Sequence, residues 1–315
     1  MKITNNPGLS QCWVDACQRQ EGSHEHKGLM SMTELLLPPQ IYQLRKRHDN
    51  ELTQDVSGMI WSLFGSAVHY ILQQASRPGT MTEQRFNAKV LDEDISFCPD
   101  RVEPLSLDEM IPYYQNGQFK AGTQLWRLKD FKITKVYSVI SFMKQPKFEW
   151  HWQVNGYAWA LTQIGYPVVE ACVEAAMKDY SRIERLKNPR EYPEYEVVSL
   201  PVRLERPEVV QEFLESKVRG HLCAWDLEDE DLPACSIEER WGKPDLWAVK
   251  KIGSDKALPR STFDSPSEAN RCLEARKDKA ECEVEYRKSI SRRCEEYCAC
   301  KSVCMQYAGT VNPAF

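Results

Sequence analysis

Hydrophobic positions along the chain recur at two periods. Across residues 58–76 (GMIWSLFGSAVHYILQQAS), Trp61, Phe64, Val68, Ile71 and Leu72 return at helical spacing, which predicts a helix whose apolar stripe is core. Residues 148–164 (FEWHWQVNGYAWALTQI) predict an aromatic-rich helix ended by Gly165, and residues 206–225 an amphipathic helix that Pro207 opens. Residues 94–100 (DISFCPD) and 125–136 (LWRLKDFKITKV) alternate as strands do, and residues 195–204 read likewise. Residues 168–177 (VVEACVEAAM) predict a strand buried on both faces. Between the amino terminus and the first strong helix, SMTELLLPPQIYQLRKR predicts a capped turn, a Pro-Pro corner and a short helix.

The resulting order of helix, strand, strand, helix, strand, strand, helix predicts a mixed α/β core over residues 31–225. Residues 1–30, rich in Asn, Gln, Gly and His without a period, predict a loosely ordered arm in which His24 and His26 are surface histidines; His151 is read the same way. At Asp226 the composition shifts. The acidic run DLEDEDLPAC opens a second region, 226–315, with a strand at 246–251, a charged helix near 265–286 and a cysteine cluster at its end.

A chain of 315 residues with 42% hydrophobic and 28% charged positions has the profile of a folded globular protein. No apolar run approaches the roughly 18 residues of a membrane span, and the opening MKITNNPGLSQCW lacks an apolar signal region. The cytoplasm is the expected compartment, with no membrane partner. In that reducing setting twelve cysteines favour metal binding over disulfides. Cys12, Cys17, Cys98, Cys172 and Cys223 are scattered and read as buried thiols, whereas Cys235, Cys272, Cys282, Cys294, Cys298, Cys300 and Cys304 gather late in the chain. With 41 basic against 46 acidic residues the net charge is −5, so attraction to nucleic acid has to come from local patches; residues 127–135, 182–190 and 287–293 are candidates.

Asp100 closes one predicted strand, and Asp130 lies inside the next with Lys132 on the same face, since strand side chains repeat every two residues. Two carboxylates converging across a strand pair suit Mg²⁺ or Mn²⁺, and a lysine beside them suits phosphodiester hydrolysis. Asp-x-Lys alone is common; the ordered set around it is not. His69 stands in a Gly65-Ser-Ala-Val-His69 helix, Glu83 follows, then Pro99-Asp100, Asp130-Phe131-Lys132, and Gln153 and Tyr157 one helical turn apart.

In this set the chain resembles the RecB-like branch of the PD-(D/E)XK nuclease superfamily, over roughly residues 30–200. The segments SMTELLLPPQIYQLRKRH, GMIWSLFGSAVH and QVNGYAWAL are similar to small nucleases of tailed phages and prophages. The resemblance implies a restriction-endonuclease-like core and a metal-dependent DNA exonuclease or end-processing activity in recombination, repair or DNA processing. A recombinase or helicase partner and, for a phage protein, the bacterial host cytoplasm follow from it. It makes His69, Asp100, Asp130 and the Phe131 carbonyl metal ligands, Lys132 the catalytic lysine, and Glu83, Gln153 and Tyr157 accessory residues. The thirty-residue interval between Asp100 and Asp130 departs from a short strand connection; it predicts a long hairpin insertion, or else a substitute carboxylate in Asp108 or Glu109.

The terminal sequence RCEEYCACKSVCMQY holds Cys294, Cys298, Cys300 and Cys304, thiols dense enough for zinc or an iron–sulfur cluster. Helicase–nucleases and CRISPR adaptation nucleases of the same branch have a similar arrangement, which implies a 4Fe–4S cluster clamping a cysteine-rich cap onto the core. Cys294, Cys298 and Cys304 are the expected ligands, with Cys235 as the fourth and Cys300, Cys272 or Cys282 as alternatives. Two further readings stand beside the nuclease: a catalytically silent DNA-binding or recombination module of the same fold, and a structural metalloprotein.

Overall fold

The computed structural model describes residues 1–22 and 28–311; His24 and His26 lie outside the described residues. In chain order the elements are β1 (Lys2–Thr4), α1 (Gln11–Gly22), β2 (Met30–Ser31), α2 (Met32–Leu35), α3 (Pro39–Arg47), β3 (Thr53–Asp55), α4 (Val56–Gln74), β4 (Met81–Thr82), β5 (Phe86–Val90), β6 (Glu93–Phe97), β7 (Arg101–Pro104) and α5 (Leu107–Gln115). They continue as β8 (Trp126–Thr134), α6 (Val136–Lys144), α7 (Phe148–Gln163), β9 (Val168–Met177), α8 (Arg182–Lys187), β10 (Val197–Pro201) and α9 (Pro207–Cys223). The last segment adds β11 (Leu246–Lys251), β12 (Ala257–Phe263), α10 (Pro266–Glu274), β13 (Cys282–Arg287) and α11 (Met305–Val311). The chain is thus mixed α/β. No helix among the described residues is long and apolar enough to cross a membrane.

Two units divide the chain: Met1–Leu37 with Thr53–Asp226, and Pro38–Leu52 with Leu227–Phe315. The first is built on a five-stranded sheet of order β10-β9-β8-β7-β4, in which β8 and β9 are parallel and the other pairs antiparallel. The β7–β8 register sets Arg101 opposite Lys129, and one further residue along it sets Asp100 opposite Asp130. Helix α7 packs on β8 and β9, burying Val154, Tyr157, Ala160 and Leu161. Its buried Asn155 ties the helix to the approach of α9, donating to the Arg203 carbonyl and accepting from the Glu205 N–H.

Several expectations need correction. The amino-terminal arm is ordered through residue 22, because β1 pairs with β3 and α1 packs Val14 and Cys17 against Val56 and Met59 of α4. That contact uses the opposite side of α4 from the anticipated stripe, so Trp61, Phe64 and Ile71 are exposed instead of core. Strand β9 is buried on one face only. Its other face carries Glu170 and Glu174, paired with Arg127 and Lys129 of β8. The long hairpin insertion anticipated between Asp100 and Asp130 is present: β7 and β8 pair antiparallel and their connection, residues 105–125, holds α5. A Ser106–Glu109 capping box starts α5, and Met110 packs with Leu105 and Leu125. Finally, the charged helix near 265–286 ends at Glu274, because CEVEYR alternates and pairs with β11, where Lys250 meets Glu283 and Glu285.

The second unit is discontinuous in sequence. Its folded sheet, β12-β11-β13, is covered by α10, with Val249, Ala269 and Cys282 at the centre. The residues 38–52 that sequence periodicity assigned to the nuclease core belong here. Asp229 accepts from Arg47 at 2.8 Å and pairs with His48 Nε2 at 2.5 Å, joining the end of α3 to the later chain.

Hydrogen bonds to Asp229 and Glu51 raise the His48 pKa, and the bond from His48, aided by Arg47, lowers that of Asp229. The raised imidazole contributes stability below its unfolded value of about 6.5 and loses it as pH rises through the folded value; the lowered carboxylate contributes above about 4 and loses it on acidification. The contact is therefore strongest between about pH 4 and 6.5, with a contribution under about 1 kcal/mol because both groups are partly solvated. Thermal midpoints measured against pH are expected to show wild type exceeding His48→Gln in that window, with the gap closing toward alkaline pH.

Candidate active site

A short helix-to-strand path brings the sequence-nominated residues together in the first unit. His69 projects from α4 so that its Nδ1 lies 3.0 Å from Glu83 Oε1 and 3.6 Å from Asp100 Oδ1, and its Nε2 lies 3.3 Å from the Phe131 carbonyl oxygen. One ligand atom from each of His69, Glu83 and Asp100 lies within 4.8 Å of the other two. Glu83 reaches this position from a backbone at φ +47°, in the left-handed region that side chains rarely adopt, and its N–H donates to the Asp100 carbonyl. Strain of order 1 kcal/mol or more concentrated at one acidic residue is the kind that accumulates at functional positions.

Asp100 and Asp130 are both buried, Asp130 completely. Asp100 Oδ2 accepts the Phe131 N–H at 2.5 Å. Lys132 Nζ stands 2.5 Å from Asp130 Oδ2, yet neither Asp130 oxygen receives a well-directed hydrogen bond from a described donor. Burial, and then the charge of Asp130, push the Asp100 carboxyl up to about 7 against the opposing pull of Lys132, His69 and the Phe131 N–H. Burial disfavours the Lys132 ammonium, but Asp130, Asp100 and Glu83 outweigh it and hold its pKa above the usual value. The hydrogen bond to Glu83 outweighs desolvation and raises the His69 pKa.

Gln153 Nε2 donates to the Tyr157 hydroxyl at 3.1 Å, and both residues are buried on α7. Burial, Asp130 and Asp100 hold that hydroxyl well above a tyrosine's ordinary pKa, so it remains a neutral donor facing the carboxylates. Sequence reasoning missed Cys98, whose Sγ donates to Glu83 Oε2 at 3.7 Å and whose thiol burial and Glu83 push up to about 11. Its spacing two residues before Asp100 on an extended segment was the available signal. Asp108 and Glu109 lie in the first turn of α5, where Glu109 caps Ser106 and pairs with Arg127, and neither joins the cluster.

An imidazole, clustered carboxylates, a peptide carbonyl and a buried carboxylate paired only with Lys132 are the donor set that a hard divalent cation takes. His69, Glu83 and Asp100 would hold it, with Asp130 and the Phe131 carbonyl adjacent.

The cysteines form a separate group within the second unit. Burial, with Glu239, Cys304 and Cys294, pushes the Cys235 thiol up to about 12, so these three sulfurs lie within electrostatic reach of one another. Burial and the neighbouring Cys298 also raise Cys294 and Cys304. A hydrogen bond from Cys300 lowers Cys298 to about 6, with help from Arg45 and Arg293. Cys300 turns into α3, donating to the Ile41 carbonyl, while Cys235 donates to Gln40. The segment ahead of the His69 helix therefore reaches the cysteines but offers Gln40, Ile41 and Arg45 in place of a thiol. Cys272 and Cys282 pack against Val249 and Ala269 in the small sheet's core.

Of the basic stretches, Arg127 and Lys129 are neutralised by Glu109, Glu170, Glu103 and Glu174. Arg182 and Lys187 pair with Glu196 and Glu184, and Arg287 and Arg292 with Glu285 and Glu296.

No protein-family model matches the sequence. No curated protein matches it either. Among solved structures, the crystal structure of SSO0001 shows a distant likeness, with 10% identity, a TM-score of 0.41 and coverage of 67% of this chain and 86% of that one.

Replacing Asp100 by Asn removes one of two buried like charges, so at about pH 8 the metal-free variant is expected to melt above wild type. Excess Mn²⁺ should raise the melting temperature of wild type by several degrees and leave Asp100→Asn almost unmoved, as differential scanning fluorimetry reads directly.

Proposed function

We propose that the chain is a divalent-metal-dependent deoxyribonuclease with a restriction-endonuclease-like core of the RecB-like PD-(D/E)XK kind, acting on DNA ends in recombination, repair or DNA processing. The observation that carries this reading is the convergence of the buried Asp100 and Asp130 with the partly exposed Lys132, His69 and Glu83 beside the β7–β8 pair.

Mg²⁺ or Mn²⁺ held there would neutralise charge developing on a phosphate and make water more acidic. Lys132 holds a water for in-line attack and donates positive charge toward the phosphate oxygens. Asp130 fixes the lysine ammonium at 2.5 Å. Tyr157 stays protonated in the field of the two carboxylates, and its hydroxyl accepts a hydrogen bond from Gln153 that orients it. His69, anchored by Glu83, supplies the nitrogen donor. Burial of Asp100 and Asp130 strengthens the charge interactions they make, while His69, Glu83 and Lys132 remain partly open to solvent.

Purified protein is expected to cleave end-labelled linear DNA with Mg²⁺ or Mn²⁺ and to stop on addition of EDTA. Lys132→Ala should lower the rate by at least about a hundredfold. By leaving the buried Asp130 without its ion-pair partner it should lower the melting temperature too, so activity is compared at a temperature where circular dichroism shows both proteins folded. Full activity in that variant removes the assignment. A wild-type protein that binds DNA without turnover supports the catalytically silent module instead.

The proposal extends to the second unit, where Cys235, Cys294, Cys298 and Cys304 hold a 4Fe–4S cluster, with zinc as the competing occupant. Support comes from the gathering of these four thiols in one unit and from Cys298, which a hydrogen bond from Cys300, with Arg45 and Arg293, holds toward the thiolate. Protein purified without oxygen should be brown with broad visible absorbance. Cys304→Ala should lose that colour and Cys223→Ala keep it; colourless protein carrying zinc by elemental analysis excludes the cluster.

A further inference from the structure

The exposed face of α4 holds an aromatic pair that neither the core nor the cluster of acidic residues uses. Trp61 and Phe64 are 47% and 51% exposed, with ring centroids 5.7 Å apart. Lys178 Nζ sits over the Trp61 ring, 4.1 Å from its centroid. The Lys178 N–H bonds the Thr134 carbonyl at the end of β8, and Lys135, the next residue, is exposed. The nearest carboxylate in sequence, Asp179, accepts the Val136 N–H.

Trp61, Gly65 and His69 follow at four-residue spacing and therefore lie along one side of the helix. A Cβ added at Gly65 would meet nothing within 4 Å, so the helix surface midway between the aromatic pair and the site histidine is open there. Eight residues of helix place Trp61 about 12 Å from His69. Along β8 the same direction runs from Phe131, beside His69, to Thr134, beside Lys178.

We propose that this open lane is a binding track for single-stranded DNA, in which an unpaired base stacks on Trp61 and Phe64, Lys178 and Lys135 hold its phosphates, and the strand runs past Gly65 to His69. Aromatic surface interleaved with lysine is what sequence-tolerant binding of unpaired strands requires. A duplex keeps its bases stacked inward and offers the rings nothing. Burial, and then the charge of Lys135, depress the Lys178 pKa against the pull of Asp179, and a phosphate beside the amine favours its charged form. The inference rests on the nuclease reading for the identity of the polymer and adds to it a substrate class, strands with unpaired ends.

The test is fluorescence anisotropy in EDTA, with a labelled oligo-dT single strand and a blunt duplex of equal length. Wild type should prefer the single strand. Trp61→Ala should weaken that binding about tenfold, Trp61→Phe should restore most of it, and Lys178→Gln should reduce the salt slope by about 0.7. Gly65→Leu, which suits a helix better than glycine, should obstruct the lane and weaken single-strand binding with no loss of thermal stability. Unchanged affinity in both Trp61→Ala and Gly65→Leu overturns the proposal, as does a wild type that prefers duplex. Sedimentation showing a dimer that Trp61→Ala dissociates also overturns it, by giving the face to a second copy. Strand binding without metal-dependent cleavage by wild type overturns the nuclease reading alone, whereas cleavage of duplex ends without strand preference overturns the track alone.

Discussion

Two carboxylates set side by side in a dry interior govern the first unit. The antiparallel register of β7 and β8 leaves Asp100 facing Asp130, a like-charge pair that ordinary sheets avoid. Nothing local compensates fully: one lysine, the His69 imidazole and one backbone N–H face the pair, and Asp130 lacks well-aligned donors. Packing elsewhere has to supply the deficit. The fully buried Phe97, Leu128 and Val173 surround the strands, and α7 closes over them with its apolar length. A protein that tolerates this arrangement without a ligand is holding free energy that a cation can release.

The sheet separates this tension from ordinary stability. On one side, Glu103, Arg127, Lys129, Glu170 and Glu174 interleave across three strands and neutralise one another. On the other, Asp130 and Lys132 meet Asp100, His69 and Glu83. Because strand side chains alternate, a single strand supplies both faces, and moving β8 by one residue would exchange them. Local register errors are thereby excluded by both surfaces at once.

How much of this was readable in the sequence follows from the range of the forces involved. Period-two alternation in LWRLKDFKITKV fixes Asp130 and Lys132 on one face, and the register with β7 then brings in Asp100. The side of α4 that meets the core was not readable, since Trp61, Phe64 and Ile71 have the right spacing but Val14 and Cys17 of α1 occupy the other side. The end of α10 was misjudged for a related reason: charged residues suit an exposed helix or an edge strand equally, and only the partnership of Lys250 with Glu283 and Glu285 decides. The role of Glu83 depends on a positive φ, and no residue pattern announces that for an acidic side chain.

Helix α3 and the late chain share one unit although Ile41 and Cys300 are 259 residues apart. During synthesis α3 emerges early and has to wait for its partners until the segment Leu227–Phe315 has been made. Closing so long a loop is entropically slow, and meanwhile the apolar side of Ile41 and Leu44 stays available to chaperones or to wrong neighbours. How well the cell shelters a fifteen-residue segment, Pro38–Leu52, until Leu227–Phe315 follows it therefore bears on expression yield.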